Sequence, residues 1–98
     1  MRKRDALSRL AKSADEFRSL GVKSLYVFGS TARDEARRGS DVDLLVDVKD
    51  RSRFSLFDLL ELRYRAEAIL GQPADVVTRG SLHPAIKKAV LTDAVRVF

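Results

Sequence analysis

The sequence predicts a small α/β domain, a mixed β-sheet with helices packed on it. Three observations carry that reading. Leu25-Tyr26-Val27-Phe28 is a short β-branched and aromatic run closed by Gly29, which reads as a buried strand. Val42, Leu44, Val46 and Val48 alternate with Asp41, Asp43, Leu45 and Asp47, the pattern of a strand with one apolar face. Leu56, Leu59, Leu62, Ala66 and Ile69 recur at helical spacing, a stripe that one helix would bury.

The remaining elements follow in order. Leu7, Leu10, Ala14 and Phe17 predict a helix over residues 5–20, with Asp5 as a cap and Gly21 as a left-handed end. After the first strand, Gly29-Ser30 allows a tight turn, and Ser30 is placed to cap a helix starting immediately afterwards. Ser55-Leu56-Phe57-Asp58 is a capping box for a helix over 55–70 that stops at Gly71. Pro73 opens a third strand, Ala74–Thr78, where its missing N–H costs least. A short helix follows with Pro84 in its first turn and Ile86 and Val90 on one face, and Ala94–Phe98 closes the chain as an edge strand. Without repeats, low-complexity tracts or linkers, residues 1–98 are expected to form a single domain. Strand order is left open.

Composition narrows the chemistry. A chain of 98 residues with 45% hydrophobic content supports one core. There is no cysteine, which excludes disulfides, thiolate catalysis and cysteine-based zinc sites and makes a cytoplasmic location the default expectation. His83 is the single histidine, so no multi-histidine metal site is possible. The basic start Met1–Asp5 meets Asp15 and Glu16 after a short, interrupted apolar stretch, unlike a signal peptide. No segment approaches the roughly 20 apolar residues of a membrane span, so no membrane partner is expected. A net charge of +5 suits an anionic partner. Lys and Arg read as scattered along the chain, without a basic stripe or aromatic stacking motif, so direct nucleic-acid binding is not expected; a homo-oligomer is compatible with the sequence.

The chemistry concentrates at two places. Backbone N–H groups at the Gly29-Ser30 turn, at the positive end of a helix, would favour an anion, with phosphate the obvious candidate. Asp41 and Asp43, two apart on a strand, share a face with Cα atoms roughly 7 Å apart. Two carboxylates without a Lys or Arg between them repel unless a cation is bound, and magnesium, which takes oxygen ligands and bridges to substrate phosphates, suits them. Taken singly, each motif has a plain alternative, a simple turn or a solvated strand face. Asp75 changes the balance, because it too stands at a strand start and is placed to join the pair. It is the catalytic-base candidate, with a part in holding a second metal. Asp47 reads as surface. Arg33, three residues beyond Ser30, is placed to touch phosphate or to form an ion pair with a nearby acid. Arg37 and Arg38 read as a solvated loop, His83 as a cap, Ser40 as a turn residue, and Tyr26 and Tyr64 as packing residues.

Gly29-Ser30-Thr31-Ala32-Arg33, followed after six residues by Ser40-Asp41-Val42-Asp43-Leu44, resembles the signature of the polymerase β-like nucleotidyltransferase superfamily. The small size points to its minimal nucleotidyltransferase (MNT) branch. The resemblance continues through Ser55-Leu56, Gly71 and Asp75-Val76-Val77 to Ala94-Val95. It implies the polymerase β-like fold, a Gly-Ser turn that binds nucleotide phosphates, and Asp41, Asp43 and Asp75 as the metal-holding and catalytic carboxylates. It also implies Mg2+ as cofactor, ATP as donor of a nucleoside monophosphate to a hydroxyl, and a HEPN-family toxin partner that an MNT antitoxin neutralises by AMP transfer. One departure stands out. The residue after Arg33 is commonly Gly in this motif and here is Asp34, which would strain a turn needing φ > 0 and weaken triphosphate binding by its charge. A second reading is therefore a catalytically degenerate MNT protein that blocks its partner sterically.

Overall fold

The computed structural model describes all 98 residues. In chain order they form α1 (Lys3–Lys12), α2 (Ala14–Ser19), β1 (Val22–Phe28), α3 (Gly29–Ala32), β2 (Val42–Val48), α4 (Leu56–Leu70), β3 (Ala74–Thr78), a 3-10 turn at Arg79–Ser81, α5 (Pro84–Asp93) and β4 (Val95–Arg96). The strands make one mixed sheet in the order β3-β2-β1-β4. β1 pairs antiparallel with β2 and with β4, whereas β2 and β3 are parallel, as the α4 crossover between them requires. The closing strand is an edge, as expected, but only two residues long.

Alternation along the strands gives the sheet two unlike faces. Leu25 and Val27 of β1, Val42, Leu44 and Val46 of β2, and Ala74 and Val76 of β3 turn to one side. There they meet Ala6 and Leu10 of α1, Phe17 of α2, and Leu62, Ala66 and Leu70 of α4 in the core. The second face carries Tyr26, Phe28, Asp43, Leu45, Asp47 and Asp75, with α5 lying against β1 and α3. Leu45 and Val90 are buried outside the main cluster.

Several elements match the sequence reading closely. α4 begins at the Ser55 cap, whose reciprocal bonds with Asp58 complete the capping box, and ends at Gly71 with φ +73. Pro84 starts α5, and the His83 ring accepts the Ala85 N–H at 3.0 Å. Ser40 does turn the chain into β2, its hydroxyl accepting the Arg37 N–H at 3.1 Å.

Other elements differ, each for a local reason. The single helix expected over 5–20 is two, because Ser13 (φ −107, ψ 18) leaves the helical region. Asp5 is inside α1, and its N-cap is Arg2 without a side-chain cap. β1 starts three residues early, with an irregularity between Val22 and Ser24. Tyr64 is not a packing residue: it is 73% exposed, and with Leu56, Phe57 (82% exposed) and Leu60 it forms an apolar row on the outside of α4. Leu56 thus leaves the predicted buried stripe, since α4 turns only Leu62, Ala66 and Leu70 fully inward. Ile86 is likewise exposed, while Val90 one turn later is buried. No helix is long and apolar enough to cross a membrane.

Candidate active site

The start of β2 lies between the ends of its neighbours, so its first acidic residue is held from both sides. Asp43 is registered with Phe28 of β1 and with Asp75 of β3. Side chains in directly opposed positions point to the same face, so the two carboxylates are cross-strand neighbours. Asp41, two residues earlier and exposed, completes the acidic group at this end of the sheet. The Asp43 carboxyl is pushed above its ordinary range, first by burial and then by the charges of Asp75 and Asp41, with Arg33 acting weakly in the opposite direction.

Gly29 is built into this arrangement. Its φ is +70, and a Cβ there would stand 2.3 Å from Asp43 Oδ2. Both the backbone conformation and the close approach require glycine. The turn therefore sets its backbone directly against the carboxylate. The helix that follows corrects one expectation, because α3 is a single turn starting at Gly29 with Phe28 as its cap, not Ser30. One turn has little macrodipole, so any anion there would be held by the free N–H groups of the first turn rather than by a helix field. Thr31 in this turn is 1% exposed, and its hydroxyl has no partner.

α3 stops because Asp34 adopts φ +59, the left-handed region. The departure from glycine therefore does fall at a position of positive φ, which Asp tolerates better than most residues. Its charge is already engaged, since Asp34 Oδ1 accepts the N–H of Lys3 at 2.9 Å. That bond supplies the cap that α1 lacks locally.

Arg33 takes the ion-pair alternative. Its guanidinium bonds Glu35 at 3.1 Å and also Asp93 of α5, which ties α3 to α5. Asp47 is not the surface residue expected from sequence. It is half-buried and receives two bonds from Arg79, at 2.7 and 3.2 Å, with the Arg79 guanidinium also lying over the Tyr26 ring at 5.3 Å. Arg79 could not be anticipated, because it comes from the turn after β3 and meets β2 only through the sheet.

The structure thus gathers Gly29, Asp43 and Asp75 tightly, keeps Asp41 and Ser30 at their edge and commits Arg33 elsewhere. No group of three or more acidic or histidine side chains is already closed into a metal-binding cluster. Uncompensated carboxylates at one sheet end do fit a hard cation that retains waters and takes phosphate oxygens as further ligands.

Residues 7–97 match the model of the nucleotidyltransferase domain family. The protein adenylyltransferase MntA of Thermococcus cleftensis is 44% identical over 79% of this chain and 76% of its own. A solved structure described as a minimal nucleotidyltransferase superposes with a TM-score of 0.81, 34% identity, and coverage of 97% of this chain and 95% of that one. The fold also matches a tri-AMPylated HEPN toxin complex with MNT antitoxin from Shewanella oneidensis (TM-score 0.60, 19% identity, 86% of this chain and 67% of that chain covered).

Proposed function

Given that the chain belongs to the nucleotidyltransferase family, in its minimal branch, we propose that it moves AMP from ATP to a hydroxyl of a partner protein, as the antitoxin of a HEPN-family toxin. The observation that carries the reading is the uncompensated Asp43 and Asp75 pair set against the bare Gly29 backbone. A carboxylate pair held without a counter-ion is a local cost to the fold. A site that binds a cation with its substrate gives that cost a use.

In this reading the free N–H groups of the Gly29-Ser30 turn hold phosphate oxygens, and Asp41 and Asp43 hold Mg2+, with Asp75 as a third carboxylate. The bound metal would supply charge stabilisation at the phosphoryl oxygens. Asp75, exposed on the same face, accepts the proton of the acceptor hydroxyl. The hydroxyl oxygen forms a bond to the α-phosphorus, the bond from that phosphorus to the bridging oxygen breaks, and pyrophosphate leaves. Arg33 steadies α3 through Glu35 and Asp93; contact with phosphate would require it to exchange one of these partners.

The alternative of a degenerate, sterically acting protein rested on Asp34. The residue does take positive φ, and its carboxylate is held by the Lys3 N–H at the start of α1, so both readings stand on the transfer assay. The test is incubation of the purified protein with Mg2+, α-labelled ATP and an extract of its source cells, beside the Asp43→Asn variant. A labelled protein seen only with the intact chain, yielding AMP on a hydroxyl by mass spectrometry, is expected. Equal labelling by both proteins, or none from either while partner binding persists, would sink the proposal.

A further inference from the structure

At the other end of the same sheet face, a cleft of about 570 Å³ opens beside Asp47. Its walls bring together Lys23 of β1, Arg51 from the segment after β2, Arg79 from the 3-10 turn, Lys87 of α5 and Arg96 of β4. Asp47, the one acid in the cleft, is taken up by Arg79. The other four cations form no ion pair, and Arg96 donates only to the Ser24 hydroxyl, at 3.4 Å. Four unpaired cations thus share one concavity. Gly80 belongs to the same construction, since a Cβ there would stand 2.5 Å from the Arg51 guanidinium. The exposed Arg51 side chain thus lies against the backbone of the 3-10 turn.

We propose that this cleft binds an acidic peptide segment of the protein acceptor and so delivers the neighbouring hydroxyl to the carboxylate end of the sheet; this rests on the nucleotidyl-transfer reading above. Four grounds favour it. Lys23, Arg51, Lys87 and Arg96 are exposed like charges around one concavity, and their summed field favours an anionic ligand. Arginine forks match carboxylates, and the Arg79 pair with Asp47 shows the geometry within the cleft itself. Asp43 and Asp47 lie on one face of β2 four residues apart, roughly 13 Å, which an extended peptide spans in about four residues. A nucleic acid is disfavoured because Tyr26, the aromatic ring of the cleft, already lies under Arg79 and is closed as a stacking platform.

The test uses a labelled synthetic peptide with three consecutive glutamates four residues from a serine, its glutamine analogue, an oligoribonucleotide of equal charge, and ATP without metal. Fluorescence anisotropy at low salt measures each against the intact protein, an Arg51→Gln, Lys87→Gln, Arg96→Gln triple variant, and Asp43→Asn. The acidic peptide should bind at least about tenfold more tightly than its glutamine analogue. The triple variant should lose most of that preference with an unchanged melting temperature, and Lys87→Glu alone, at an exposed helix position, should weaken binding several-fold. Asp43→Asn should bind the peptide normally. Equal binding of both peptides, equal binding by the triple variant, or displacement by the oligoribonucleotide or by ATP would overturn the proposal. Acidic-peptide binding by a protein that transfers no label upholds the cleft and removes only the reaction.

Discussion

Asp43 and Asp47 stand four residues apart on one face of β2, yet they meet opposite surroundings. Asp47 faces Ser24 across the strand pair and is bonded twice by Arg79. Asp43 faces Phe28 on one side and a second aspartate on the other. The first is an ordinary partly buried ion pair, whose contribution to stability is modest. The second is a charge held where the fold alone gives it no counter-ion. One strand thus carries both an acid paired within the fold and an acid left without a partner, and the difference comes from what its neighbours bring.

The largest expected effect separates these two acids directly. Asp43→Asn should reduce nucleotidyl transfer by about 100-fold or more, while raising the melting temperature of the metal-free protein. The sign follows from the carboxyl being pushed above its ordinary range. The folded state then holds the proton more tightly than the unfolded chain, so the penalty is present at neutral pH and fades as pH falls through the raised value. Thermal melts should therefore show the gain of Asp43→Asn largest near neutral pH and shrinking towards acid, and Mg2+ should stabilise the intact protein more than the variant. A variant less stable than the parent at neutral pH would end the contrast.

Gly29→Ala comes next. Positive φ and the approach to Asp43 should together cost about 1–3 kcal/mol, with activity falling further than stability because the turn must move from the carboxylate. Denaturant titration beside a transfer assay would distinguish the two. At Asp34, replacement by Ala removes the Lys3 cap and leaves a β-carbon at φ +59, a loss of about 1–2 kcal/mol. Asp34→Gly relieves the backbone while losing the cap, so a smaller loss is expected, with transfer activity retained in both. The smallest effect belongs to Asp47→Asn. It should cost at most about 1 kcal/mol and leave Mg2+-dependent stabilisation intact; if it removed metal stabilisation as thoroughly as Asp43→Asn, the two acids would not be distinct.

Much of this was legible before the fold was known, and the reason is local. The α4 boundaries follow from the Ser55-Asp58 box and Gly71, and β2 and β3 from their alternation and the Pro73 start. The break at Ser13 and the exposed face of α4 were not legible, because a periodic apolar pattern does not say which apolar residues find neighbours. Asp41, Asp43 and Asp75 could be nominated by spacing alone. That Arg33 would be engaged by Asp93, sixty residues away, could not.

The sequence by itself determined most of the elements, the turns at Gly29 and Gly71 and the residues capable of the chemistry, because propensity, capping and side-chain alternation act over a few residues. Only the tertiary structure decided which charges meet. The β3-β2-β1-β4 order sets Asp75 opposite Asp43, brings Arg79 to Asp47, and assembles Lys23, Arg51, Lys87 and Arg96 from distant segments into one basic cleft. Coulomb interactions depend on separation in space, and separation in space is what strand order and register set.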